Sequence, residues 1–362
     1  MSIRVAITGI GNCASALVQG VEFYKKVKTS EEVPGVMHAH FGDYHISDIE
    51  FVAAFDVNRQ KIGKDLSEAV FAEPNNCARF IDIPRKGVKV QAGPILDGAA
   101  PHMMDSFYVA EDHRPVDVAE ALKEAEADLL VNLLPVGSAQ ASRVYAEATL
   151  KAGCGFVNCI PEFIASDPVW AQRFKERALP VAGDDIKSQL GATVLHRAIV
   201  ELFHERGLHV DSTYQLNIGG NTDFENMKYE DRLASKRISK TEAVKTLVPY
   251  DMPTRIGPSD YVSFLGDHKV AFIRVDARGF GNLPVELDVK LKVNDSPNSA
   301  GIIIDVIRGV KIALDRGVGG PLEGVSAYAF KHPPRQVEDH TARAWVEEFI
   351  EGKGSIENMG GG

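Results

Sequence analysis

The sequence predicts an α/β fold, with a doubly wound parallel sheet in its first half and a largely antiparallel sheet in its second. Three observations predict it. Apolar runs of strand length alternate with segments of helical periodicity up to about residue 188. A glycine-rich turn joins the first strand to the first helix. Beyond residue 209 the apolar residues instead recur at every second position, without intervening helices.

The elements follow in order. Ile3–Thr8 reads as a buried strand, followed by Gly9-Ile10-Gly11-Asn12-Cys13-Ala14. Ala14, Leu17, Val18, Val21 and Tyr24 then share one helical face. A polar stretch over 25–49 precedes a second strand over 51–55, closed by Asp56. Residues 88–90 form a candidate strand, 116–125 a helix, and 128–134 a buried parallel strand stopped by Pro135. A helix over 138–152, a strand over 155–159 and a helix over 170–177 follow. The strand over 179–183 runs into Asp184-Asp185-Ile186-Lys187-Ser188. A helix over 189–205 leads to alternating strands over 210–218, 270–275 and 285–293. In the last of these Val285, Leu287, Val289, Leu291 and Val293 share a face. A helix over 300–315 ends in Gly317-Val318-Gly319-Gly320, and the tail over 354–362 is expected to fray.

The 362 residues suit about two domains. With 44% apolar and 25% charged residues the balance is that of a soluble globular protein. A net charge of −10 argues against nucleic acid or an anionic membrane as a partner. Cys13, Cys77, Cys154 and Cys159 form no CxxC pair and read as small buried thiols. No signal-type stretch opens the chain, and no run of ~18 apolar residues could span a membrane. A cytoplasmic location is expected.

Gly9-x-Gly11-x-x-Ala14 is a GxGxxA form of the dinucleotide fingerprint. The first glycine permits the tight turn, the second admits the pyrophosphate, and the small third residue lets helix and strand pack. The helix N-terminus offers N–H groups and partial positive charge. Asp56 stands where an acid should bind the adenosine ribose, though 47 residues after Gly9, against the usual ~20. The 25–49 stretch would be the insertion that explains the excess. An acid there repels a 2′-phosphate, so NAD is favoured over NADP. The bland readings are a Gly-rich turn and a helix cap. His38-x-His40 has no third ligand at a recognisable spacing and reads as a solvated loop. The HExxH, GxSxG and Walker A motifs are absent.

Several further segments resemble myo-inositol-1-phosphate synthases, and the short bacterial form above all. They are Asn132-Leu133-Leu134-Pro135-Val136-Gly137-Ser138, Gly183-Asp184-Asp185-Ile186-Lys187-Ser188-Gln189 and Asn217-Ile218-Gly219-Gly220-Asn221-Thr222-Asp223-Phe224. Two more are Ser235-Lys236-Arg237-Ile238-Ser239-Lys240 and Asp295-Ser296-Pro297-Asn298-Ser299-Ala300-Gly301. The resemblance implies a Rossmann NAD domain (1–188), an inserted catalytic and tetramerisation domain (189–298) and a C-terminal segment (299–362) that returns to the first. It also implies the conversion of D-glucose 6-phosphate to 1D-myo-inositol 3-phosphate. Oxidation at C5, enolisation at C6, intramolecular aldol closure onto C1 and re-reduction of C5 would follow one another, in a homotetramer. A net dehydrogenase of the homoserine or sugar-acid type, and a non-catalytic NAD sensor, are the rival readings.

That chemistry needs a phosphate clamp, a proton shuttle and cations beside developing oxyanions. Lysine suits all three. Lys236 and Lys240, four apart, would share a helical face around an anion. By resemblance, Lys236, Lys269 and Lys311 surround the sugar oxygens and phosphate, and Lys240 is another pocket lysine. Lys269 is expected in proton transfer or at the C5 oxygen, and Lys311 at the C1 oxygen. Asn217, Asn221 and Asp223 would line the sugar pocket, with Gly219 and Gly220 offering N–H groups to phosphate. Of Asp184 and Asp185, one is expected to bind the nicotinamide ribose and the other to orient Lys187, helix capping being the bland reading. Asn12, Cys13, Pro135, Ser138, Tyr145 and Lys187 itself complete the expected cofactor contacts. Asp295, with Ser296 and Asn298 nearby, is expected to hold either a sugar hydroxyl or a divalent cation, zinc or magnesium, for which Asp295 and Ser296 are the candidate ligands.

Overall fold

The structure is a computed structural model that describes residues 2–27, 33–109, 113–228, 244 and 247–353. Lys236, Lys240 and the tail over 354–362 lie outside the described residues. The principal elements are β1 (Ile3–Thr8), α1 (Asn12–Tyr24), β2 (Ile49–Asp56), β3 (Val90–Ala92), α2 (Val118–Glu124), β4 (Leu129–Asn132), α3 (Ala139–Ala152) and β5 (Gly155–Asn158). Next come α4 (Pro168–Glu176), β6 (Pro180–Ala182), α5 (Ala192–Glu205), β7 (His209–Gly219), α6 (Thr222–Asn226), β8 (Thr254–Tyr261), β9 (His268–Arg278) and β10 (Pro284–Asn294). The chain closes with α7 (Asp295–Asp315), β11 (Gly320–Pro321), α8 (Glu323–Ala329) and α9 (Asp339–Ile350).

Seven strands form one parallel sheet in the order β11-β6-β5-β4-β1-β2-β3. β1 is apolar on both faces, so both must be covered. Val5 and Ile7 pack with Leu17 and Val18 of α1 and Ile303 and Ile307 of α7. Ala6 faces the other way, toward Leu122 of α2 and Ala146 and Leu150 of α3. Strand order reverses beside β1, where open α/β sheets bind ligands at the carboxyl ends. The stretch before β2 folds as a short hairpin, His40–Phe41 against Tyr44–His45. Buried Arg308 of α7 fastens it by donating to the carbonyls of His38 (2.8 Å), Ala39 (2.9 Å) and Tyr44 (3.3 Å).

The second sheet has the order β8-β7-β9-β10. β9 is antiparallel to β7 and β10, whereas β8 runs parallel to β7. β8 carries no recognisable strand pattern, because Gly257 and Pro258 interrupt it. Such residues are tolerated at an edge, where this strand lies. One face of the sheet packs on α5 through Ile199, Val200, Phe203, Val210, Ile256, Ile273 and Val275. On the opposite face Tyr214, Leu216 and Phe272 remain exposed.

Helix α7 starts at Asp295 rather than at 300, since Pro297 is acceptable in a first helical turn. Asn294 pairs with His268 across the β9–β10 ladder, so the first turn of α7 stands beside the entrance of β9. All four cysteines are free. Among the described residues no helix is long and apolar enough to cross a membrane.

Candidate active site

A single cleft runs from the carboxyl ends of β1, β2 and β4 to the near end of the second sheet. At its first end lies the glycine turn. Gly9 has φ +80°, and a Cβ there would come within 2.5 Å of the Leu133 carbonyl oxygen, so only glycine fits. A Cβ on Gly11 would meet nothing within 4 Å, because that residue borders the open cleft. Helix α1 begins immediately after it, with neither a side-chain cap nor an acid in its first turn. Its first N–H groups and partial positive charge are therefore available to an anion. This cradle fits a dinucleotide diphosphate.

Asp56 lines the same end. Its carboxylate accepts from the backbone N–H of Ile10 (2.7 Å), Val57 (2.7 Å) and Asn58 (2.8 Å). Asn12, Cys13, Pro135 and Tyr145 also line the cleft. Burial, then the nearby Asp267, Asp295 and Asp223 carboxylates, push the Cys13 thiol up, which keeps it protonated. Ser138 does not line the cleft: it is fully buried, and its hydroxyl donates to the Pro135 carbonyl.

The other end gathers Asn217, Asn221, Asp223, Lys269, Asp295 and Ser296. The Lys269 ammonium donates to the Asp295 carboxylate. Asp267, absent from the sequence expectation, is the buried hub of this end. It accepts from Asn12 Nδ2 (3.1 Å), Asn221 Nδ2 (3.2 Å) and Ser296 Oγ (2.7 Å). Burial holds its carboxyl above the usual range. The glycine turn, the entry to α6 and the first turn of α7 are thus tied to one side chain.

Several expected site residues lie elsewhere. Asp184 is fully buried and accepts from Asn158 Nδ2, Ser166 Oγ and the N–H groups of Ile164, Ala165 and Ser166, at 2.7–3.1 Å. Its carboxylate organises a loop and does not reach the cleft. Lys187 donates to the Ala327 carbonyl (2.7 Å) and to Asp339 (2.9 Å), which Arg197 also holds. Burial lowers its pKa to about 8. It fastens the C-terminal helix, and Asp185 does not orient it. Asp185 itself lines the cleft, at φ +61°, and pairs with Lys331 (2.7 Å).

Lys311 stands 16 positions along α7 from Asp295, about 24 Å of helix. It pairs with Asp315 (2.7 Å) and Asp128 (3.4 Å), away from the cleft. Lys331 lines the cleft. Its signal in the sequence was faint: a lone lysine in Phe330-Lys331-His332-Pro333, just past a short helix. Lys61, also unforeseen, lines the cofactor end although nearly wholly buried. Gly219 and Gly220 serve packing: a Cβ would lie 2.4 Å from the Phe224 ring or 2.5 Å from the Val262 carbonyl.

Asp295 and Ser296 do not form a ready cation cage, since Lys269 engages the one and Asp267 the other. Among the described residues the three-ligand cluster is Glu201, Glu338 and His340, outside the cleft lining. Of the His38-x-His40 pair, His38 is structural rather than solvated. His38 bridges Asp305 (2.6 Å) and Glu347 (3.2 Å), and His40 lies against the ring of His45.

The family model for myo-inositol-1-phosphate synthase matches residues 191–296. Over 357 residues the chain is 53% identical to the inositol-3-phosphate synthase of Mycolicibacterium smegmatis, covering 97% of this chain and 98% of that protein. With the inositol-3-phosphate synthase of Corynebacterium glutamicum the identity is 52% over 357 residues, covering 96% and 98%. A myo-inositol-1-phosphate synthase-related protein from Thermotoga maritima superposes with a TM-score of 0.78 at 28% identity, covering 96% of this chain and 99% of that one.

Proposed function

Because the chain belongs to the inositol-3-phosphate synthase family, an NAD-dependent family of intramolecular lyases, we propose that it converts D-glucose 6-phosphate to 1D-myo-inositol 3-phosphate. The observation that carries this reading is the continuity of the cleft: the glycine turn and Asp56 open directly onto Lys269, Asp295 and Lys331. A hydride acceptor held at the first end would meet a sugar held at the second.

NAD, when bound, supplies reversible hydride chemistry at C5. Asp56 and the α1 N-terminus bind and orient it, and Asn12 links that turn to the sugar end through Asp267. Lys269 handles the proton of the C5 hydroxyl and steadies charge on that oxygen during enolisation at C6. Its partner Asp295 fixes the ammonium in place. Lys331, held by Asp185 and the Ile186 carbonyl, takes the C1 oxygen, the role expected of Lys311. Asn217, Asn221 and Asp223 orient the sugar hydroxyls. By the family resemblance, Lys236 stands by the sugar oxygens and phosphate, and Lys240 is a further pocket lysine. The Lys269 ammonium already supplies positive charge at Asp295, where a divalent cation was expected.

The exposed apolar face of the second sheet, with Tyr214, Leu216 and Phe272, supports assembly into a tetramer. The pairing of β11 with β6 supports a division into 1–188, 189–298 and a returning 299–362. Four uncrosslinked cysteines favour a reducing compartment, hence the cytoplasm.

The test is incubation with glucose 6-phosphate and NAD+, with the product identified by NMR. The expected result is an inositol phosphate and no accumulating NADH. Stoichiometric NADH would instead mark a net dehydrogenase.

A further inference from the structure

Lysine is almost never fully buried without a charged partner. Lys61 is 3% exposed, yet its ammonium has two neutral acceptors, the Ile10 carbonyl (2.7 Å) and Asn75 Oδ1 (2.9 Å). Asn75 Nδ2 donates to the same Ile10 oxygen at 3.0 Å. The N–H of Ile10 is in turn held by Asp56 at 2.7 Å. Ile10 is the central residue of the glycine turn, so both its polar backbone atoms are fixed.

A trans peptide is planar, with its C=O and N–H pointing in opposite directions. Anchoring the Ile10 carbonyl therefore sets the direction of the Gly11 N–H, at the residue that borders the open cleft. The first N–H groups of α1 follow from the same orientation. Burying an ammonium on neutral acceptors is costly, and the cost is offset when an anion enters beside it. Burial pulls the Lys61 pKa down, while the Asp56 carboxylate acts to raise it.

We propose that Lys61 is a positioning residue for the glycine turn: by holding the Ile10 carbonyl it aims the turn's N–H groups at a diphosphate, and its buried charge favours that anion. The proposal rests on the reading that this end of the cleft takes NAD, and it adds that affinity for the diphosphate is set from beneath the turn.

The experiment titrates the full chain with NAD+, ADP and adenosine, for the wild type, Lys61→Met, Lys61→Gln and Asn75→Ala. Loss of a charge-assisted hydrogen bond predicts that Lys61→Met weakens NAD+ and ADP by about tenfold or more. Adenosine, which lacks phosphate, should weaken far less. In turnover the loss should fall on KM for NAD+ more than on kcat. Lys61→Gln keeps a donor and should recover part of the ADP affinity. Asn75→Ala leaves Lys61 in place and should lose less than Lys61→Met, and it reports on the same clamp if Lys61→Met fails to fold. Equal weakening of ADP and adenosine would overturn the proposal, and so would unaltered ADP binding in Lys61→Met. A wild-type chain that binds no NAD+ would overturn the cofactor reading itself.

Discussion

Lys269 and Asp295, 26 positions apart, form an ion pair in the cleft. The β9–β10 ladder is responsible. Lys269 lies opposite Val293, and the chain passes from β10 into α7 two residues later, which leaves Asp295 beside the ammonium. A strand entrance and a helix N-terminus thus meet at the same end of the cleft.

Lys269→Met should abolish turnover and leave NAD+ binding nearly intact. The ammonium serves both the hydride and the enolisation steps, so its loss should raise the barrier by several kcal/mol, on the order of a thousandfold in rate. Met keeps much of the side-chain volume. Product formation beside an NAD+ titration checks this. Turnover near that of the wild type would make Lys269 a spectator.

Lys331→Met and Lys311→Met should behave oppositely. The first removes a cation from the cleft and should cost on the order of a hundredfold in kcat. The second breaks ion pairs with Asp315 and Asp128 at the far end of α7, and should leave kcat within about twofold. Steady-state rates for both variants decide between them, and the reverse pattern would restore Lys311 to the site.

The stability of the α7 clamp should depend on His38. Burial alone would lower its pKa, but hydrogen bonds to Asp305 and Glu347 outweigh burial and raise it above the ordinary 6.5. The native state then holds this proton more tightly than the unfolded chain. The stabilisation is fully present below the unfolded value and is lost as pH rises through the raised native one. Melting curves for the wild type and His38→Gln should differ most near about pH 6 and converge at higher pH. A gap that widens with pH would contradict the assignment.

Phe272→Glu should reduce the mass of the assembly. A carboxylate at position 272, opposite Leu216 on the exposed face, would have to be desolvated in any interface there. Light scattering at micromolar concentration is the measurement, with a melting curve to verify folding. A variant of unchanged mass would mean that this face is not buried between copies.

Features of the fold that rest on local pattern were legible in the sequence. The strand, glycine turn and helix around Gly9 and Gly11 are contiguous, and Asp56 closes a strand whose apolar run is unmistakable. Lys331 and Asp267 were not legible, because their partners Asp185, Asn12 and Ser296 come from distant segments. Lys187 sits in a conspicuous motif, but its side chain turns toward Asp339, a contact that no local spacing could suggest. Lys311 was expected at the C1 oxygen from the family resemblance, and the start of its helix tells against that place. Once Asp295 is known to lie in the cleft, helical rise alone puts Lys311 at the opposite edge.

The parallel sheet is not finished by the first part of the chain. Its face around Val5 and Ile7 is covered by α7, and β6 receives its neighbour β11 only from residues 320–321. During synthesis the glycine turn and Asp56 emerge before Asp295 and Lys331. Until then a growing chain presents an apolar sheet face without its covering helix, a state prone to aggregation. Completion of the cleft therefore waits on residues 295–331, and chaperone demand should peak while they are still to come.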